Sequence, residues 1–84
     1  MATKIGLVQR VEIIEARERE VSDLKRHAGD ALREAREKSG LSLRDVAPEV
    51  NLTPQAISYV EHGKAQRTAT LRRLAEFYES YRAA

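Results

Sequence analysis

Gln55, Ser58 and Tyr59 are spaced three and four residues apart, so a helix would place all three on one face. An amide that donates and accepts at once, a short hydroxyl and a phenol are groups that read hydrogen-bonding edges rather than break bonds. No nucleophile has a base at a credible spacing, no glycine-rich phosphate loop is present, and no paired carboxylates stand where a cleft would form. The expectation is a protein that acts by binding, not an enzyme, with no cofactor and no metal. The chain has no cysteine, which excludes a disulfide framework and a cysteine-based zinc site. His27 and His62 are far apart without ligand-like neighbours and read as surface residues.

The segment that must position those three side chains runs from Ser42 to Gly63, SLRDVAPEVNLTPQAISYVEHG. It reads as two short helices, about 43–50 and 54–62, each with its own start signal. Ser42 and Thr53 can accept hydrogen bonds from the free N–H groups that open them. Pro54 follows Thr53 at the first helical position, where its missing N–H costs nothing. Asn51 stands where the chain must bend sharply, and Asn is one of the few residues that tolerate a left-handed backbone. Val46, Val50, Leu52, Ile57 and Val60 face one shared core, and small Ala47 lets the helices approach. This is the layout of a helix-turn-helix, and its exposed second helix is shaped to lie in the major groove of DNA.

Two more helices complete the expected domain. Residues 30–39, DALREAREKS, read as a helix capped by Asp30, with Ala31, Leu32 and Ala35 inward and Gly40 at its end. Residues 69–82 read as the last helix, capped by Thr68, with Leu71, Leu74, Ala75, Tyr78 and Tyr81 on one face and Phe77 widening it. Pro48 falls inside a short helix at the cost of one backbone hydrogen bond.

Residues 1–29 form an N-terminal extension, and residues 30–84 the helix-turn-helix domain. Leu7, Val11, Ile14, Val21, Leu24 and Ala28 recur at helical spacings, so the extension reads as a helix running on into the domain, with Gly29 tolerated at a cost of ~1 kcal/mol. A competing reading makes residues 4–14 a strand, because Ile5, Leu7, Val11 and Ile13 alternate. The apolar stripe would cover its own domain, pair with a second copy, or capture another protein.

A chain of 84 residues makes one small domain, marginal on burial alone, for which a partner subunit is a reasonable expectation. No apolar run approaches the ~20 residues of a membrane span, and the start carries charges within its apolar part, unlike a signal peptide. These features fit a reduced cytoplasm. The net charge of +2 is unevenly spread: from His62 to Arg73 the charged side chains are Lys64, Arg67, Arg72 and Arg73, with no acid among them. A phosphate backbone would run along such a loop.

From about Leu32 to Tyr78 the chain resembles the phage repressor/Cro (Xre-type) helix-turn-helix family. The likeness rests on LREAREKSGLSLRDVA, NLTPQAISYVEHGK and TLRRLAEFY, including the E-x-G-K ending at Glu61 to Lys64. It implies an all-α, lambda-repressor-like fold of four core helices and a structural ion pair between Arg36 and Glu61. There are departures. Leu43 stands where the family often has a phosphate-touching Gln. Pro54 takes the first recognition-helix position, and Ala69 a position that can carry a basic residue toward the minor groove. The usual fifth helix has no counterpart before Ala84.

The resulting expectation is a sequence-specific transcriptional regulator, a repressor of phage or bacterial type, bound to double-stranded operator DNA as a homodimer. Gln55, Ser58, Tyr59, Pro54 and Ala56 would face the bases. Gln55 suits the N6 and N7 edge of adenine. Ser42, Arg44, Thr53, Lys64, Gln66 and Arg67 would contact phosphates. Two alternatives are an antitoxin whose residues 1–29 bind a toxin, and an interaction module acting on the transcription machinery.

Overall fold

A computed structural model describes residues 6–83 as four helices and no strand: α1 (Leu7–Lys38), α2 (Leu43–Val50), α3 (Pro54–Glu61) and α4 (Thr68–Ala83). The all-α expectation holds. The extension and the expected first helix are one continuous helix of 32 residues. The strand reading of residues 4–14 is overturned from Leu7 onward, since Leu7 to Ile14 are helical; residues 4 and 5 lie outside the described residues. The helical spacing recurs from Leu7 into the body, although the charged run ARERE interrupts its apolar stripe, while the alternation covers only a few residues.

Because α1 passes through residues 29 and 30 without a break, Asp30 caps nothing. It lies in mid-helix, with one carboxylate oxygen accepting from Arg33 at 3.4 Å. The start of α1 is instead held by Gly6, whose N–H donates to Gln9 Oε1 at 3.0 Å. Thr68 is likewise the first residue of α4 and not the residue before it.

Three helices end by the same device. Gly40, Asn51 and Gly63 have φ of 72°, 55° and 80°, and the N–H of the next residue reaches back to Arg36, Ala47 and Tyr59 respectively. Each reversal satisfies an orphaned helix carbonyl and turns the chain sharply. Ser42 and Thr53 open α2 and α3 as expected, accepting from the backbone N–H of Asp45 at 3.1 Å and of Ala56 at 3.0 Å. Asp45 returns the bond to the Ser42 N–H at 2.8 Å, which completes a capping box. That hydrogen bond, with a second contribution from the Ser42 side chain, holds the Asp45 carboxyl below its usual range. Pro48 leaves the Arg44 carbonyl without its helical donor, but both residues are exposed and water can serve it.

Val46, Ile57 and Leu74 form the centre of the core, one from each of α2, α3 and α4, and Leu32 adds α1. Leu52, expected in the core, is only partly buried, and Tyr81 is exposed. Gly29 is not merely tolerated. A Cβ there would lie 2.4 Å from the Val60 carbonyl oxygen and 2.9 Å from that of Glu61. The absent side chain is what lets α1 lie against the last turn of α3.

Candidate nucleic-acid interface

The candidate interface is built on α3. Burial of Ile57, Val60 and Glu61 fixes which side of that helix points inward. Pro54, Gln55 and Tyr59 are left exposed, Tyr59 at 54%, while Ala56 and Ser58 are partly buried. The helix is short, and its pose is set by neighbours rather than by its own length. The Thr53 cap, the α2 turn at Asn51 and the Gly29 contact hold its two ends.

Arg36 and Glu61 lock α3 to α1. Arg36 Nε donates to Glu61 Oε2 at 2.7 Å and its Nη2 to Oε1 at 3.0 Å, a two-pronged contact. Nη1 donates to the Leu41 carbonyl at 3.0 Å, so the same guanidinium also pins the α1–α2 turn. Side-chain exposure is 15% for Arg36 and 4% for Glu61. The Glu61 hydrogen bond raises the Arg36 pKa above its ordinary value, against the opposing effect of burial. The Tyr78 phenol is buried beside it, with no hydrogen-bond partner for its hydroxyl among the described residues. Burial pushes its pKa up to about 12, with Glu61 adding to the rise and Arg36 opposing it.

The loop from Gly63 to Arg67 follows directly. Ala65 is buried, so its neighbours Lys64, Gln66 and Arg67 are held on the surface in a fixed order. Gly63 has a positive φ, and a Cβ there would lie 2.9 Å from Arg26 Cα; α1 therefore braces this loop too. Ala56 and Tyr59 share a cleft of about 260 Å³ with Lys64, Gln66, Arg67 and Thr70. The structure thus brings two of the base-facing candidates to the same cleft as three of the phosphate candidates. Thr70, which the sequence did not single out, lines it as well. Ser42 and Arg44 are exposed at the start of α2, outside that cleft, with the Ser42 hydroxyl engaged in its cap.

Two polar residues serve the frame rather than the open face. Arg73, part of the basic run, turns toward α2 and donates to the Val50 carbonyl at 3.2 Å. His62 places Nδ1 2.7 Å from the Ser58 carbonyl, which requires the proton on Nδ1 and closes the last turn of α3. A single sequence has no signal for the Arg73 contact, which joins residues 23 apart.

A family model described as a helix-turn-helix domain matches residues 27–83, well over half of the chain. The chain belongs to this helix-turn-helix family. No curated protein and no solved structure matches it. The family match begins two residues before Gly29, so it takes in the contact that seats α3 on α1 but leaves most of the projecting part of α1 outside. A helix-turn-helix domain points to DNA as the partner and to regulation as the role. No helix of the described residues is long and apolar enough to cross a membrane.

Proposed function

We propose that this protein is a sequence-specific transcriptional repressor of the Xre type. It works in the cytoplasm by binding alone, as a homodimer on operator DNA with two related half-sites. The observation that carries this reading is the exposed face of α3, whose pose is fixed by the Thr53 cap and by the Arg36–Glu61 pair. A helix held this firmly can present Gln55 to a base edge without an ordering cost at the moment of binding. Pro54 and Ala56 have little polar reach and would contribute shape and apolar contact. Gln55 would read a base, and Ser58 and Tyr59 would add a hydrogen bond to a base or to the flanking backbone.

Affinity would come from phosphates. Thr53, at the N-terminus of α3, and Ser42 and Arg44, at that of α2, stand where helix ends favour anions. Lys64, Gln66 and Arg67 extend that contact along the ordered loop. Each phosphate neutralised contributes about 0.9 to the slope of log affinity against log salt.

A selection from a random duplex pool tests the proposal. The expected result is one enriched site with two-fold symmetry and half-sites about one turn, ~34 Å, apart. Gln55→Ala should cost about 1–3 kcal/mol on that site and little on random DNA. A pool that enriches no sequence would sink the proposal.

A further inference from the structure

We propose that the projecting half of α1 pairs with α1 of a second copy, the two helices antiparallel and crossing near Val21. In this arrangement the Leu7–Val11 end of each copy lies over the other's groove between α1 and α4. The proposal rests on the homodimeric reading above and specifies the surface that makes the dimer.

Leu7, Ile14, Val21, Ala28 and Ala35 recur every seven residues, and Val11, Glu18, Lys25 and Leu32 fall three positions before the last four of them. That is the a and d pattern of a helix-pairing seam. Within the body the seam is occupied, since Leu32 is buried against the core. Beyond the body it is bare, with Leu7 81% exposed and Val11, Ile14 and Val21 about half exposed. The bare stretch and the packed stretch are one line on one helix.

Two features of the seam choose its occupant. The first is size. Its far end carries Leu7, Val11 and Ile14, and its near end carries Ala28 and Ala35, with Ala31 beside them and Leu32 turned into the core. Those alanines and Leu71 and Ala75 of α4 line an open groove of about 530 Å³. Parallel pairing would set alanine against alanine and leave a void, whereas antiparallel pairing sets large residues over small ones. The second is charge. The seam holds one acid and one base, Glu18 and Lys25, which border the same groove together with Ile14 and Val21. In a parallel pair Glu18 would meet Glu18 and Lys25 would meet Lys25. In an antiparallel pair crossing near Val21, each Glu18 approaches the other copy's Lys25. A surface that is complementary to itself under a two-fold axis calls for a second copy of the same chain.

The spacing that results suits the proposed target. From Val21 to Leu32, the α1 side chain in the core cluster, is about 16 Å of helix, so the two Leu32 residues would lie about 33 Å apart along α1, close to one turn of DNA at ~34 Å.

The test uses the full chain without DNA. Sedimentation equilibrium should give a dimer. Glu18→Lys alone and Lys25→Glu alone should each weaken it roughly tenfold or more, with helicity unchanged, and the double variant should recover most of that loss. Because the chain has no cysteine, cross-linking is clean. A mixture of Val11→Cys and Ala31→Cys chains should form a mixed disulfide, and Val11→Cys alone should not link to itself. A monomer at all concentrations, a double variant no better than the singles, or efficient Val11→Cys self-linking would each overturn the proposal. If a random duplex pool still enriches a site while the chain stays monomeric, the pairing fails and the DNA reading stands. A dimer that enriches no site gives the reverse.

Discussion

From Ala28 to Lys38, α1 lies against α3 and α4, burying Gly29 and Leu32 and holding the Arg36–Glu61 pair. From Leu7 to Leu24 every residue of the same helix is exposed, including Leu24 at 61%. The periodicity is common to both stretches, and the difference lies in what stands opposite. Where another helix faces α1, small Ala28, Gly29 and Ala35 flank the buried Leu32, so that backbones approach. Where none does, it keeps branched aliphatic side chains. Helical periodicity alone therefore gives a face, and the size of the residues on that face tells whether a neighbour is already close.

If the packed half carries the fold, breaking its ion pair should give the largest single loss. Glu61→Ala should cost about 3–5 kcal/mol, because it leaves a guanidinium largely buried without its carboxylate; urea denaturation would measure it. A loss below about 1 kcal/mol would mean that Arg36 finds water instead.

Gly29→Ala sharpens the contrast by its sign. Helix propensity alone predicts a gain of about 1 kcal/mol. The Val60 carbonyl 2.4 Å from the new Cβ predicts a loss of about 1–3 kcal/mol, visible as a lowered Tm.

Tyr78→Phe tests the packed half more gently. The hydroxyl is buried without a partner among the described residues, so its removal should leave stability unchanged or raise it by about 1 kcal/mol. It also predicts a pH dependence. The phenol pKa is raised in the folded chain, so the native state binds the proton more tightly than the unfolded state. The contribution is full below the ordinary phenol value of 10.0 and is lost as the pH rises toward about 12. The variant should lose that decline. In the bare half, Val8→Ser should change the stability of dilute monomer by less than about 0.5 kcal/mol. A larger loss there would mean that the projecting segment is not bare in solution.

The sequence disclosed most where the physics is local. The caps at Ser42 and Thr53, the turn at Asn51, Pro54 at the first helical position and the closing glycines each act over three to five residues and stand where expected. Asp30 failed as a cap because upstream of it the helix simply continues, and Thr68 because α4 opens one residue earlier than its pattern suggested, with the Thr70 N–H donating to the Arg67 carbonyl at 3.1 Å. Arg36–Glu61 joins residues 25 apart and was legible only through the family likeness. Gly29 under Val60, Arg73 on the end of α2 and Tyr78 beside the ion pair depend on which elements meet, which no local pattern encodes. The candidate interface divides in the same way: the exposure of Gln55 and Tyr59 follows from helical phase, whereas the ordering of Lys64, Gln66 and Arg67 around buried Ala65 does not.

Since α1 contains no proline and runs unbroken through 32 residues, it has no hinge between its bare end and its seat beneath α3. It acts as a stiff lever arm about 48 Å long. Whatever grips the far end sets the rotational phase of the recognition face as well as its distance. An operator lengthened by a single base pair would be misaligned by roughly a tenth of a turn, and this rod has no joint with which to follow it.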